Sequence, residues 1–293
     1  MDRVSRTFKI VSNLVLSLLC IIILLPFMIL ISSSMTEESV LITQGYNVIP
    51  KKISFLAYRY LFLSAGNIFN AYGVTLFVTF VGVILGLTLI IMLSYALSIK
   101  DLPGGKVISF LVFFSMLFNG GLVSTYLMYT GIFHIKNTIW ALIIPFLLVN
   151  PFLVMLARSF FVSSIPSEIS EAARVDGSSE LRLFAEIILP MAMPIIATVG
   201  LMIGLSYWNN WTNGLYFVTK SNLYSVQQLL NQLLMSSQGM SQAQMLGADV
   251  SKSIPSTGLK MATAVVGVIP IMIIYPFFQK FFIKGIAMGA VKG

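Results

Sequence analysis

Long apolar runs separated by shorter polar ones dominate this chain. The runs fall at about residues 10–32, 70–98, 107–130, 138–160, 191–214 and 259–282. Each is close to the roughly 20 residues that a helix needs to cross about 30 Å of hydrocarbon. The pattern predicts an all-α integral membrane protein with six transmembrane helices. The first run follows Arg3, Arg6 and Lys9 and is longer than the apolar core of a cleaved signal peptide. It is read as a retained helix that starts in the cytoplasm.

The polar stretches between the runs refine this. Residues 33–69 form a first outer loop and residues 100–106 a short cytoplasmic turn. In the second run Gly82 and Gly86 form a small-x-x-x-small pair, a surface for close helix packing. The third run is interrupted near its middle by Asn119-Gly120-Gly121. Bare backbone at mid-depth is tolerated only inside protein or along a watery path. Asn119, Ser124, Thr125 and Tyr126 are therefore candidates to line a translocation pathway, and a packing kink between helices is the alternative. The fourth run holds Pro145 and Asn150-Pro151, with Asn150 a further lining candidate. The fifth ends in Trp208, Asn209 and Trp211, set among other Asn and Tyr residues. Such a cluster suits a membrane interface, where aromatic belts gather, and equally a sugar, whose faces and hydroxyls take rings and amides. Residues 215–258 read as the longest outer loop.

Eleven of the 18 Lys and Arg residues fall on the side of the N-terminus and seven opposite, so the positive-inside rule places both termini in the cytoplasm. The expected division is a first helix and outer loop (residues 1–69), a core of five helices (70–283) and a short tail (284–293).

Composition agrees with the membrane reading: 57% of residues are apolar, 10% are charged and the mean hydropathy is +0.93. The net charge of +8 is spread singly over span boundaries, with no basic stripe interleaved with aromatics, so no nucleic-acid partner is expected. Cys20 and His134 are the only residues of their kinds. A disulfide within the chain and a cluster of Cys or His metal ligands are therefore excluded. No span core gathers Asp, Glu, His or Cys, so no catalytic residue is assigned.

The longest charged segment is 167–190, which holds five of the ten acidic residues between two apolar runs. It reads as two short helices. Pro166-Ser167 offers the first cap, Gly177 a left-handed stop, Ser178 or Ser179 the second cap, and Pro190 the end. Leu181, Phe184 and Ile188 form a stripe that could pack back on the membrane part.

The spacing Glu171-Ala172-Ala173, three residues, Gly177, nine residues, Ile187-x-Leu189-Pro190 resembles the EAA motif of the permeases of ABC importers. Asn119-Gly120-Gly121 with Thr125-Tyr126-Leu127, the run 208–218 and the glycine-rich ending on Val291-Lys292-Gly293 are similar to the carbohydrate-uptake group, especially its oligosaccharide and polysaccharide-fragment branch. The resemblance implies a type I ABC-importer permease in a bacterial cytoplasmic (inner) membrane. Residues 167–190 would be its coupling loop, with Glu171, Ala172, Ala173, Asp176, Gly177, Phe184, Ile187, Leu189 and Pro190 meeting an ATPase. It also implies a second homologous permease, two ABC ATPases and an extracytoplasmic sugar-binding protein, with residues 285–293 lying between the ATPases. The chain has no G-x-x-x-x-G-K-[ST] phosphate loop. No cofactor is expected on it, and ATP and magnesium belong to the ATPase partners.

Overall fold

A computed structural model describes residues 6–64, 68–245, 257–270, 272, 273 and 276. The helices run in the order α1 (Arg6–Ser34), α2 (Glu38–Gln44), α3 (Leu56–Ser64), α4 (Ile68–Ser98), α5 (Gly105–Leu117), α6 (Gly121–Ile132), α7 (Trp140–Ile143), α8 (Pro151–Ser164), α9 (Ser167–Val175), α10 (Glu180–Met191), α11 (Met193–Trp208), α12 (Thr212–Phe217), α13 (Val226–Met245) and α14 (Thr257–Pro270). Among the described residues no strand occurs, only an isolated bridge between Thr36 and Ile53. The far end of the sixth apolar run and the expected tail lie outside the described residues.

Two helices are long and apolar enough to cross a membrane alone, Phe8–Ser34 of α1 and the whole of α4. Counting each sharply bent helix pair as one span gives up to five among the described residues. The chain divides into two units, residues 1–68 with 229–271, and residues 69–228 with 272–293.

In the first unit α1 exposes apolar side chains on every side, from Phe8 through Leu16 and Ile23 to Ile31, and Cys20 is exposed among them. A helix apolar all round belongs in lipid or in a protein interior. Its end is tied to α3 by the Ser34 hydroxyl, 2.8 Å from that of Tyr58. The Glu38 carboxylate accepts hydrogen bonds from the backbone N–H groups of Thr257 and Gly258, each at 2.8 Å. An anion at the start of α14 satisfies two of the donors that a helix leaves open and complements the dipole. Two short helices, α2 and α3, thus lie within the expected first outer loop at 33–69.

The second unit is organised along α4. Gly82 leaves room for the ring of Tyr207, which any Cβ there would overlap, and a Cβ at Gly86 would sit 2.9 Å from the Leu148 carbonyl oxygen. The small-x-x-x-small pair does bring neighbouring segments in close. Further along α4 the Ser94 hydroxyl donates to Val154 O at 2.9 Å, and Arg158 Nε donates to Leu97 O at 2.8 Å, stitching α4 to α8. Ile90, Ile143, Val154, Leu183, Val199 and Ile203 are buried in one apolar core.

Three expectations need correction. The fourth apolar run is not one helix. Pro145 lacks the N–H that would continue the helix ladder, Phe146 takes φ +63°, and α8 starts afresh at Pro151. The Tyr207 hydroxyl donates to Ile143 O at 2.8 Å, and Asn213 Nδ2 donates to Pro145 O at 2.8 Å, so carbonyls at the break are satisfied by side chains. The third run bends by 117° between α5 and α6, a sharper break than a kink within one span. Finally, residues 215–258 contain the 20-residue α13. Val226, Leu229, Leu230, Leu233 and Leu234 carry its helical spacing, which the surrounding Gln and Ser obscure.

Candidate functional site

The segment between α8 and α11 is built on a turn at Gly177. At the end of α9 the Gly177 N–H donates to Arg174 O at 3.0 Å and the Ser178 N–H to Ala173 O at 2.9 Å, the two bonds of a Schellman motif. Gly177 carries φ +80°, and nothing lies within 4 Å of a Cβ built there. The requirement for glycine is therefore one of backbone conformation, not of space.

Side chains brace the same turn. Arg174 Nε donates to Glu180 Oε1 at 2.7 Å and Nη2 to Oε2 at 3.3 Å, a two-pronged pair that joins α9 to α10 across Gly177. This hydrogen bonding holds the Glu180 carboxyl below its ordinary range and raises Arg174. Arg182 and Glu186 pair at 2.8 Å one turn on. Ser179, of the two serines considered, is the cap of α10: its Oγ accepts from the Arg182 N–H at 3.4 Å. At α9 the cap position is Pro166 and no side chain caps it, so the Ser167 hydroxyl does not serve there.

The segment has two faces. Glu171, Ala172, Asp176 and Gly177 are exposed, and so are two large apolar side chains, Val175 at 87% and Leu181 at 77%. Ala173, Leu183 and Ile188 are buried, with Phe184, Ile187 and Leu189 packed partly against the core. The anchoring stripe thus runs through 183, 184, 187 and 188, and Leu181 is not in it. Residues Leu183–Ile188 form a π-helical turn, which rotates the faces relative to regular helix spacing. Pro190 does not end α10. It sits just after the widened turn, where its missing N–H is tolerated, and the chain bends by 80° at Ala192 instead.

Behind the segment the Tyr95 ring of α4 lies 4.9 Å from Phe184 and 5.7 Å from Phe161 of α8. A cleft of about 370 Å³ separates the end of α4 from the turn, lined by Met92, Tyr95, Leu102, Arg174, Leu181 and Phe184 among others.

Several of the lining candidates are engaged in contacts within the protein. The Asn119 carbonyl Oδ1 accepts from the Gly121 N–H at 2.9 Å, and the Thr125 hydroxyl donates to Gly121 O at 2.8 Å, so both secure the α5–α6 break, beside exposed Ser124. Tyr126 stacks on Phe217 at 5.7 Å, and Lys136 Nζ reaches its hydroxyl at 3.1 Å. Asn150 caps α8, its Oδ1 accepting from Phe152 N at 3.0 Å and Leu153 N at 3.4 Å. Trp208 is buried at 5% with its ring 6.5 Å from that of Tyr72, whereas Asn209 and Trp211 are exposed. Two residues of the same cluster, Tyr207 and Asn213, were not expected to hold the break in the fourth run, and they do. Their place beside Trp208 in an aromatic and amide cluster was the available signal, but their partners are more than 60 residues away.

The family model described as "Binding-protein-dependent transport system inner membrane component" matches residues 3–288. The polygalacturonan/rhamnogalacturonan transport system permease protein YtcP of Bacillus subtilis (strain 168) is 36% identical over 280 residues, covering 96% of this chain and 95% of that protein. Protein LplC of the same organism is 33% identical over 293 residues, covering 99% and 97%. A chain in the crystal structure of a bacterial ABC transporter involved in the import of the acidic polysaccharide alginate superposes with TM-score 0.77 at 28% identity, over 96% of this chain and 99% of that one.

Proposed function

Because this chain belongs to the family of binding-protein-dependent transport system inner membrane components, we propose that it is the permease subunit of an ATP-driven importer for an oligosaccharide or polysaccharide fragment. It forms half of the pore in a bacterial cytoplasmic membrane, beside a second homologous permease. Two ABC ATPases lie beneath and hold ATP and magnesium. An extracytoplasmic binding protein delivers the sugar. The chain itself performs no chemistry.

The observation that carries this reading is the segment around Gly177. Its inward face is anchored by Leu183 and Ile188, while Val175 and Leu181 present large apolar side chains to the outside. Exposed apolar groups beside charged ones are what a docking surface for another protein requires. A short helix pair braced by the Arg174–Glu180 bond is stiff enough to pass on a partner's displacement. Alternating access then follows if nucleotide binding favours one arrangement of the pore over the other. The substrate class rests on relatives named for polygalacturonan/rhamnogalacturonan and arabinooligosaccharides.

The test is to coexpress the chain with a neighbouring permease, ATPase and binding protein, purify the complex and measure uptake of labelled oligogalacturonide and arabino-oligosaccharide into proteoliposomes. ATP-dependent uptake of one of them is the expected result. Copurification without any ATPase, or uptake indifferent to ATP, would overturn the reading.

A further inference from the structure

Tyr95 occupies a position that the coupling motif does not include. It lies on α4, far in sequence from residues 167–190, yet its ring is the shared contact of α4, α8 and α10. The centroid distance is 4.9 Å to Phe184, with planes tilted by 33°, and 5.7 Å to Phe161, edge-on at 68°. The same end of α4 is bonded to α8 through Ser94 and Arg158. The α4–α8 link is thus made of hydrogen bonds and a ring contact. Towards α10 the contact is the tilted ring pair with Phe184, with the 370 Å³ cleft opening beside it between α4 and the turn.

We propose that Tyr95 is the positioning residue through which movement of the coupling segment reaches α4, and that it acts by its ring. This rests on the importer reading. Packed rings resist compression and sliding, because interiors are dense and transmit strain. A segment pushed at Val175 or Leu181 would move Phe184, and Phe184 cannot move toward α4 without displacing the Tyr95 ring. The cleft is free volume beside that contact, between α4 and the turn, so without a ring at 95 the segment could shift into it without moving α4. The Tyr95 hydroxyl is buried and has no hydrogen-bond partner among the described residues. It therefore adds nothing to the link, and phenylalanine should serve as well.

The experiment uses the whole reconstituted complex. Tyr95→Phe is expected to keep the ratio of stimulated to basal ATP hydrolysis within twofold of wild type. Tyr95→Leu should lower that ratio at least fivefold while basal hydrolysis persists. A Tyr95→Leu complex that couples normally, or a Tyr95→Phe complex as impaired as Tyr95→Leu, would overturn the proposal. A second readout guards against a leucine variant that fails to assemble: Met92→Cys, in a Cys20→Ser background, places a single thiol on the lining of the cleft, away from the docking face. Its labelling rate with a maleimide should change at least threefold between nucleotide-free and ATP-trapped complexes if the ring contact moves α4 and the segment together and so reshapes the cleft. A rate unchanged by nucleotide would overturn it. The labelling readout needs ATP and the assembled complex but no sugar, so a nucleotide-dependent change without sugar uptake would count against the sugar assignment alone, whereas absence of a copurifying ATPase would remove the importer reading and this proposal together.

Discussion

The Tyr207 hydroxyl reaches across from α11 to donate to the Ile143 carbonyl at 2.8 Å, and its ring lies where a side chain at Gly82 would otherwise be. One residue thus closes a broken helix and seats a glycine of another. Tyr207→Phe keeps the ring and orphans the buried carbonyl, so unfolding should become easier by about 1–3 kcal/mol. Gly82→Ala instead forces α4 and α11 apart, an overpacking cost also of about 1–3 kcal/mol. Thermal denaturation of the detergent-purified protein would show both, and unchanged midpoints would mean that neither contact matters.

Gly177 supplies a different kind of test, because space is not limiting there. Gly177→Val should cost roughly 1–2 kcal/mol in local backbone strain, while Gly177→Asn, which tolerates the left-handed region, should cost less. The expected outcome is loss of copurifying ATPase with valine and retention with asparagine, at equal membrane insertion. Equal assembly of both variants would refute the role given to the turn.

The Arg174–Glu180 bond predicts a pH dependence. Glu180 titrates below its ordinary range because Arg174 donates to it, so the bond's contribution is present above the ordinary carboxylate range and lost as pH falls through the lowered value. Both side chains are partly exposed, which limits the effect to about 1 kcal/mol or less. Proteolysis near Gly177 should be faster in Glu180→Gln than in wild type at neutral pH, and the two rates should converge in acid. Equal rates at neutral pH would show that the pair does not brace the turn.

Asn119 sits at the α5–α6 break, where its Oδ1 accepts from the Gly121 N–H and its amide nitrogen remains to meet a sugar hydroxyl. Asn119→Leu should reduce sugar uptake while leaving complex assembly and nucleotide binding unchanged, with Trp208→Ala as a parallel probe. Wild-type uptake by both would assign these residues to packing.

The sequence alone determined the class and marked out the segment 167–190 around Gly177. Span-length apolar runs have one physical solution in lipid, and Glu171, Gly177 and Pro190 lie within one local stretch whose turn needs only its own backbone. Even there, the face that packs inward was decided by the π-helical turn at Leu183–Ile188, which no local spacing predicts. The interior of the second unit was beyond local reading. Asn150 starts a helix and Trp208 lies beside α4, contacts that the sequence did not show for either candidate. Tyr207, Asn213 and Tyr95 matter through partners dozens of residues away. Polar and aromatic side chains in an apolar chain can bind a ligand, satisfy backbone or fill space, and their composition is the same in each case. Only the partner decides, and long-range packing sets the partner.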